Sequence, residues 1–596
     1  MKNKMVSMIY ALSMILIVFI FTNRFDNDGW FLLNSGRYVE QFGIPHVEPF
    51  TIHQNFHFVM QQWLFDLGLW KLYKLGGLKA MIAYNWVIAA VFLFVYSRLV
   101  KLKVGQISGT VRLFLMLWLI LMSMGYLFQR PQTMSGLIFL LEIYLLEKNA
   151  NRNRMPRFLI PVFFLLSVLL INLHGAMWPM FTVFLLPYAC EALAGPKLSF
   201  GRWELTWKPK DFLLLLAAIV AGGLCNPYGT EAMTYAFKSY GYPEINSLVT
   251  EMHPLALNFT YPFMAANLIL LFLCTAIYAR HSLPLRQQLL ALGTGFMALQ
   301  ASRSGMLFLL AGLFPMAEII ANHQFQKSAS DSYSWSRVRH MIMLMAIAAV
   351  AGSLALFQQT KVPEGRYSLF VGSFLLLALG ALGTLWILWK EHDLEEKLKQ
   401  NTRMFFAIVV IMLMFPFSVA WIPSLRADFV LAKSVDVIQQ DAGGSPICLW
   451  TGYNDGPYAE FQGIPCYMDT RAEVFKPKLN HQKDVMEEYC SLVYGKLDYR
   501  DFVTRYPFTH FLTTDLDPLY VNLKNDPRFE LLWDSEEDQE VQEKATEVEK
   551  KKRVRIYKWI ADVIGCGVQE EMPLRAAREG LACGKPLRRW GQGFSY

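Results

Sequence analysis

Two carboxylates two residues apart, Asp26 and Asp28, stand in "NRFDNDGWFLLNSGRYVEQFGIPHVEPF", the stretch from Asn23 to Phe50. Carboxylates so placed can take a proton from a hydroxyl, hold a divalent metal ion, or cap the helix that follows. One acid suffices for a cap, so the second asks for another reason. As a metal site the Asp26/Asp28 pair is a weak signal without further ligands. Glu48, Arg130, His174, Glu251, His253 and Arg303 extend the inventory of reactive groups. Arginine can grip two oxygens of one phosphate, and histidine can add a hydrogen bond or a charge near neutral pH. Each has a plainer use as well. An arginine paired with an acid such as Glu251 holds helices together, and His174 can bond a backbone carbonyl in a tight turn before Gly175.

The elements that must position these groups are apolar. Of 596 residues, 54% are hydrophobic and 17% charged, whereas soluble chains carry about a quarter charged residues. Apolar runs near the length of a bilayer-crossing helix recur along the chain. The first, "MVSMIYALSMILIVFIFT" after Lys2 and Lys4, is long for a signal peptide and lacks a small-x-small cleavage site, so it is expected to be a retained span. The net charge of +8 then reflects positive residues kept on the cytoplasmic side rather than nucleic-acid binding. The eight cysteines form no CxxC or Cys/His cluster. Cys448 and Cys466 either pair in an oxidising compartment or remain two thiols.

About thirteen segments have spanning length: 5–22, 80–100, 110–128, 132–148, 158–173, 176–195, 211–225, 261–280, 286–301, 305–321, 340–358, 367–390 and 404–422. Connections as short as "QRPQ" and "LHGA" force antiparallel neighbours. With a cytoplasmic N-terminus, the inner loops include "RLVKLKVGQISGTVR", "KNANRNRMPR", "KLSFGRWELTWKPK" and "KEHDLEEKLKQNTR", all rich in Lys and Arg, while Asn226 to Tyr261 holds only Lys238. That asymmetry follows the positive-inside rule and puts Pro423 onward outside. Asp26, Asp28, Glu48, Arg130, His174, Asn226, Tyr228, Glu251, His253 and Arg303 then all fall on the outer side, which suggests a shared cavity there.

The fold class expected is an α-helical polytopic membrane protein with a small extracytoplasmic α/β domain. Residues 1–423 would form the membrane domain, with a first external loop at 23–79. Residues 424–560 would form the α/β domain, and 561–596 a tail of unclear structure. In the α/β domain, "SPICLWTGYNDGPYAEFQGIPCYMDTRAEVF" shows short strand-like runs, "PFTHFLTTD" and "KRVRIYKWI" read as strands, and "HQKDVMEEYCSLVYGKL" as a helix. "DSEEDQEVQEKATEVEKKKR" reads as a solvated loop. Trp30, Leu33, Tyr38 and Phe42 make an apolar stripe suited to a helix lying flat at the membrane interface. "NPYG" at Asn226 to Gly229 reads as a structural helix end and turn. Glu142 is expected to snorkel to the interface. Arg471 and Glu473 are either near the cavity roof or an ordinary surface pair.

"DGWFLLNSGRYVEQFGIPHVEPFT" followed by "MQQWLFDLGLWKLYKLGGLKAM" resembles the first external loop of bacterial membrane proteins with the GT-C glycosyltransferase architecture. "RPQ" at Arg130, "NLHG" at Asn172, "NPYG" at Asn226, "TEMHPL" at Thr250, "SRSGMLFLLAGLFPM" from Ser302 and "GIPCYMDTRAEVF" from Gly463 continue the resemblance in order. Glu48 stands where that group commonly has Asp, and Gln61–Gln62 where an acid precedes Trp63. The resemblance implies a cell-membrane enzyme that moves a sugar, with inversion, from a polyprenyl-phosphate carrier to a glycan, lipid or protein acceptor at the outer face, among membrane lipids and without nucleic acid. It implies catalysis by Asp28 with Asp26 as its neighbour. Arg130, His174, Glu251, His253, Arg303 and Glu48 would bind substrate. Two rivals stand beside it: a flippase for lipid-linked sugars, and a non-catalytic envelope assembly protein of the same architecture.

Overall fold

The computed structural model describes residues 25, 27–103, 128–195, 203–252, 283–312, 314, 315, 318 and 428–560, with 516 and 546 excepted. Asp26, His253 and the tail beyond 560 lie outside the described residues, as do the predicted spans 5–22, 261–280, 340–358, 367–390 and 404–422, nearly all of 110–128 and part of 305–321. The principal helices, in chain order, are α1 (Gly29–Phe42), α2 (Trp63–Lys103), α3 (Pro131–Asn149), α4 (Leu159–His174), α5 (Trp178–Ala194), α6 (Pro209–Gly223), α7 (Leu285–Gln300), α8 (Phe429–Ala442), α9 (Gly456–Phe461) and α10 (Val485–Val493). The strands are β1 (Leu449–Trp450), β2 (His510–Thr514), β3 (Phe529–Asp534) and β4 (Val554–Trp559). The chain divides into two compact units.

The first unit holds residues 1–25, 72–236 and 249–425. The run that feeds it, α2, breaks its helical geometry at Gly76 and Gly77, where φ at Gly77 is +57°. Only glycine takes that conformation without strain, so the predicted span at 80–100 starts just beyond the break. The stretches Trp63–Leu102 and Leu159–Ala194 are long and apolar enough to cross a bilayer. The second is folded back on itself. His174 leaves helical geometry (φ −164°, ψ 74°), a single 3₁₀ turn follows, and Phe163 then stacks on Phe181 at 5.4 Å. The Trp178 indole also donates to Ser167 Oγ at 2.8 Å. "LHGA" is therefore the tight reversal its length predicts.

Contacts fix the other directions. Phe139 meets Phe184 at 5.0 Å and the Tyr188 hydroxyl donates to Glu147 at 3.0 Å, so α5 runs parallel to α3. Ser167 Oγ donates to the Ile219 carbonyl (2.6 Å) and the Asn172 amide to the Cys225 carbonyl (2.9 Å), so α6 runs parallel to α4. At Gly222 a Cβ would come within 2.5 Å of the Phe164 carbonyl, so only a glycine admits this α4–α6 approach. Asn226 makes the expected turn: its amide donates to the Gly223 and Gly229 carbonyls, and its Oδ1 accepts from the Tyr228 N–H. Glu142 corrects the snorkelling expectation. It is fully buried with neither carboxyl oxygen hydrogen-bonded, because α3 turns that face inward, toward α5.

The second unit holds residues 26–71, 237–248 and 426–596. Its sheet has the order β1-β2-β4-β3, with β1 parallel to β2 and the other pairs antiparallel. A bulge between Leu531 and Trp533 interrupts β3. Val430, Leu431, Val435 and Ile438 of α8 pack with Leu449, Leu512, Val554 and Ile556 as its core. Three expectations change here. "SPICLWTGYNDGPYAEF…" supplies one two-residue strand and the helix α9, because Gly456–Pro457 opens a helix rather than a strand. β3, "FELLWD", was not anticipated. The mixed-charge loop contains the helical turns Gln539–Lys544 and Glu547–Lys550, anchored by fully buried Val541. Cys448 and Cys466 are free thiols. Leu449, not Cys448, is the residue that bridges Cys466.

Residues 46–57 are stitched to this sheet by main-chain bonds. Thr51 bridges Cys466, the Ile52 N–H donates to the Cys466 carbonyl at 3.0 Å, and the His57 N–H to the Asn480 carbonyl at 3.0 Å. The first part of the α1 stripe is likewise covered by protein. Trp30, Leu32, Leu33 and Val39 are buried against protein, whereas Tyr38 is half-buried and Phe42, at the end of the stripe, is 59% exposed.

Candidate functional site

In the first unit, four elements bring polar groups to one end of the bundle. Arg130 sits at the N-cap position of α3, before Pro131 at N1. Its Nη1 lies 3.2 Å from Glu251 Oε1, and its guanidinium stands 5.1 Å over the Phe128 ring. His174, at the end of α4, is buried, and its Nδ1 lies 2.6 Å from Ser135 Oγ. Arg303 occupies the 3₁₀ turn Ser302–Ser304 just after α7, close enough for its charge to act on the His174 ring. That turn packs against the turn Thr250–Met252, which carries Glu251. Arg130, His174, Glu251 and Arg303 are thus brought together from residues far apart in sequence. Two guanidinium groups, an imidazole and one acid make this end net cationic, suited to an anionic headgroup. The Arg130–Glu251 pair is also the plainer tether that the sequence left open.

The opposite end of the same bundle carries a site that sequence reasoning missed. Arg286, at the start of α7, is fully buried. Its Nε and Nη2 donate to the two Glu147 oxygens (2.9 and 3.1 Å), Nη1 to Glu191 Oε1 (2.8 Å), and Nη2 also to Glu204 Oε2 (3.0 Å). Glu191 accepts in addition from the Glu204, Leu205 and Arg286 N–H groups. The available signal was the acids Glu147, Glu191 and Glu204, set in or beside loops otherwise dominated by Lys and Arg.

In the second unit, Asp28 is half-buried at the N-cap position of α1. Its side chain makes no capping bond, while its carbonyl accepts from the Leu32 N–H at 3.3 Å. The cap explanation for Asp28 therefore fails: a capping residue takes a non-helical backbone, and that of Asp28 is already helical (φ −60°, ψ −19°). Gly36 is the close-approach point of α1: a Cβ there would fall 2.0 Å from the Asp66 carbonyl oxygen and 2.7 Å from Trp70 Cβ.

Glu48 is buried and accepts from the Phe50 and Thr51 N–H groups (3.1 and 2.9 Å), Thr51 Oγ1 (2.7 Å) and Arg471 Nη2 (2.8 Å). Arg471 is no surface residue. Its Nε donates to Asp469 Oδ2 at 2.9 Å, Nη2 bonds the same oxygen, and Phe50 and Phe58 flank the guanidinium. Glu460 Oε2 lies 3.9 Å away, and neither Glu460 oxygen is hydrogen-bonded. Burial, reinforced by the Asp469 charge, pushes the Glu460 carboxyl well above the ordinary range and favours its protonated form. Arg471 Nη1, Thr470 Oγ1 and both Asp66 carboxyl oxygens are also buried without partners. Among the described residues no cluster of three or more His, Cys, Asp or Glu is arranged to hold a metal.

No protein-family model matches the chain, and no curated protein matches it either. Among solved structures, ArnT from Cupriavidus metallidurans in the apo state aligns over 93% of this chain and 98% of its own, with a TM-score of 0.54 at 13% identity. A second structure of ArnT, bound to undecaprenyl phosphate, aligns over 95% and 99% with a TM-score of 0.48 at 11% identity. Nearly full coverage of both chains, on the bundle and sheet just described, shows that this chain has a GT-C-like membrane-protein fold.

Proposed function

We propose that the chain is a membrane glycosyltransferase that moves a sugar from a polyprenyl-phosphate donor to an acceptor hydroxyl at the outer face of the membrane. The observation that carries this is the convergence of Arg130, His174, Glu251 and Arg303 at one bundle end of a GT-C-like fold. In the reaction, the acceptor oxygen attacks the anomeric carbon with inversion. The bond from that carbon to the phosphate oxygen breaks, and its electron pair leaves on the lipid phosphate. Asp28 takes the hydroxyl proton as general base. Arg130 and Arg303 offset the charge gathering on the phosphate, an electrostatic role that is strongest where water is scarce. His174, bonded to Ser135, contributes a hydrogen-bonding edge. Asp26, His253 and Glu48 keep secondary roles in this scheme, Glu48 by fixing the loop through Arg471.

The test is transfer from radiolabelled polyprenyl-phospho-glucose and polyprenyl-phospho-mannose by full-length protein in nanodiscs containing bacterial envelope lipids. Asp28→Asn is expected to lower the rate about 10²–10⁴-fold, the usual worth of a general base. Unchanged transfer would remove Asp28 from the role. One observation favours a second reading. The Arg130–Glu251 pair alone can hold two turns together, as a non-catalytic envelope protein of this architecture would need. That reading predicts no transfer by the wild type and a loss of stability in Arg130→Gln.

A further inference from the structure

One face of α1 is given over to the C-terminal part of its own unit. Asn27, Trp30, Asn34 and Arg37 recur at helical spacing, so they share a side. The Asn27 amide donates to the Asn454 carbonyl at 2.6 Å. The Trp30 ring lies edge-on to Tyr458 at 5.1 Å and against Phe461 at 5.0 Å. Arg37 Nη2 donates to the Phe461 carbonyl at 2.9 Å and to Asn34 Oδ1 at 2.6 Å, with the guanidinium 4.9 Å over the Phe461 ring. Gly36 meanwhile docks α1 against the start of α2 with no room for a methyl group. The helix is thus fixed in rotation by two close contacts, one of them to α9 and the turn before it. Asn454 and α9 lie more than 400 residues from α1, the Asn27–Asn454 separation being 427.

We infer that α9 and its preceding turn position the base: Asn27 and Trp30 set the rotation of α1 and thereby aim the carboxylate of Asp28. This rests on the base role proposed above. A helix rotated about its axis by one misplaced anchor swings its N-cap side chain by an ångström or more, and such a displacement can cost about a hundredfold in rate with little effect on binding. Asn27 and Trp30 touch neither substrate nor reacting atoms in this scheme, so they are positioning residues.

The experiment measures transfer from polyprenyl-phospho-glucose or polyprenyl-phospho-mannose, whichever the wild type uses, by full-length protein in nanodiscs. Trp30→Ala and Asn27→Ala are expected to lower kcat about ten- to a hundredfold while the donor KM stays within about twofold. Trp30→Phe keeps a ring against Tyr458 and Phe461 and restores kcat to within about threefold of wild type. The decisive arm repeats Trp30→Ala and Asn27→Ala in the Asp28→Asn background. Positioning acts only through Asp28, so neither adds to the loss there. Wild-type kcat in Asn27→Ala and Trp30→Ala overturns the inference, and so does an additive loss in the Asp28→Asn background. Asn27 is exposed, so Asn27→Ala gives the answer if Trp30→Ala fails to fold. Transfer absent from the wild type, or unchanged in Asp28→Asn, instead overturns the functional reading itself.

Discussion

Arg286 in the first unit and Arg471 in the second are both buried guanidinium groups ringed by acids, yet they are satisfied differently. Arg286 spends Nε, Nη1 and Nη2 on three glutamates, and one of these, Glu191, is further held by three backbone N–H groups. Arg471 leaves Nη1 without a partner and has a third acid, Glu460 of α9, standing unbonded at 3.9 Å. Its two closest acids have other donors as well. Asp469 accepts from the Arg471 N–H at 2.7 Å, and Glu48 from three donors in its own loop. The first arrangement is a closed tie among helix ends. The second is an overfilled acid cluster in which burial and the Asp469 charge favour the protonated form of Glu460, which makes its stability sensitive to pH. A buried ion pair is costly to break from one side, and the cost depends on how well the remaining charge is served by others.

Four measurements sharpen or break this contrast, all by thermal unfolding of the full-length protein in micelles. Arg286→Leu is expected to cost most, about 3–5 kcal/mol, because it strands several buried acids at once. Arg471→Leu is expected to cost less, about 2–3 kcal/mol, since Asp469 and Glu48 keep backbone and hydroxyl donors. Equal losses would dissolve the distinction. Glu460→Gln tests the proton. The folded state holds a proton that the unfolded chain releases in the ordinary carboxylate range, so the wild type loses stability as pH rises from about 4.5 toward Glu460's raised value. The variant lacks that slope and gains on the wild type with rising pH; a pH-independent difference would show that Glu460 is ionised in place. Smallest of all, Lys544→Ala removes an exposed i,i+4 pair with Glu540 and is expected to leave the melting temperature unchanged within error.

The grouping of several candidate residues was legible because their position follows from span ends. Arg130, His174, Glu251 and Arg303 were placed on one side by counting spans, and the structure gathers them at one end of the bundle. The reversal at "LHGA" and the turn at "NPYG" were legible because two apolar runs separated by so few residues admit one geometry. The snorkelling expectation for Glu142 and the surface-pair alternative for Arg471 fail for a shared reason. A lone charge in a sequence looks solvated until the partner or the enclosing helix is known. Trp30 was assigned to lipid because an amphipathic stripe states only that one face is apolar. What covers that face, here Tyr458 and Phe461, is a long-range fact.

By itself the sequence determined the apolar runs, the tight turns between them and the basic character of the loops that join several of them. These depend on local length, hydropathy and backbone chemistry. It also set Asp469 beside Arg471, two residues apart. Only the tertiary structure decided that Glu48 would meet Arg471 across 423 positions, that Glu147 would meet Arg286 across 139, and that α1 would lie against α9. A buried charge is tolerable only where its counter-charge arrives, and no periodicity along the chain encodes which distant carboxylate that will be.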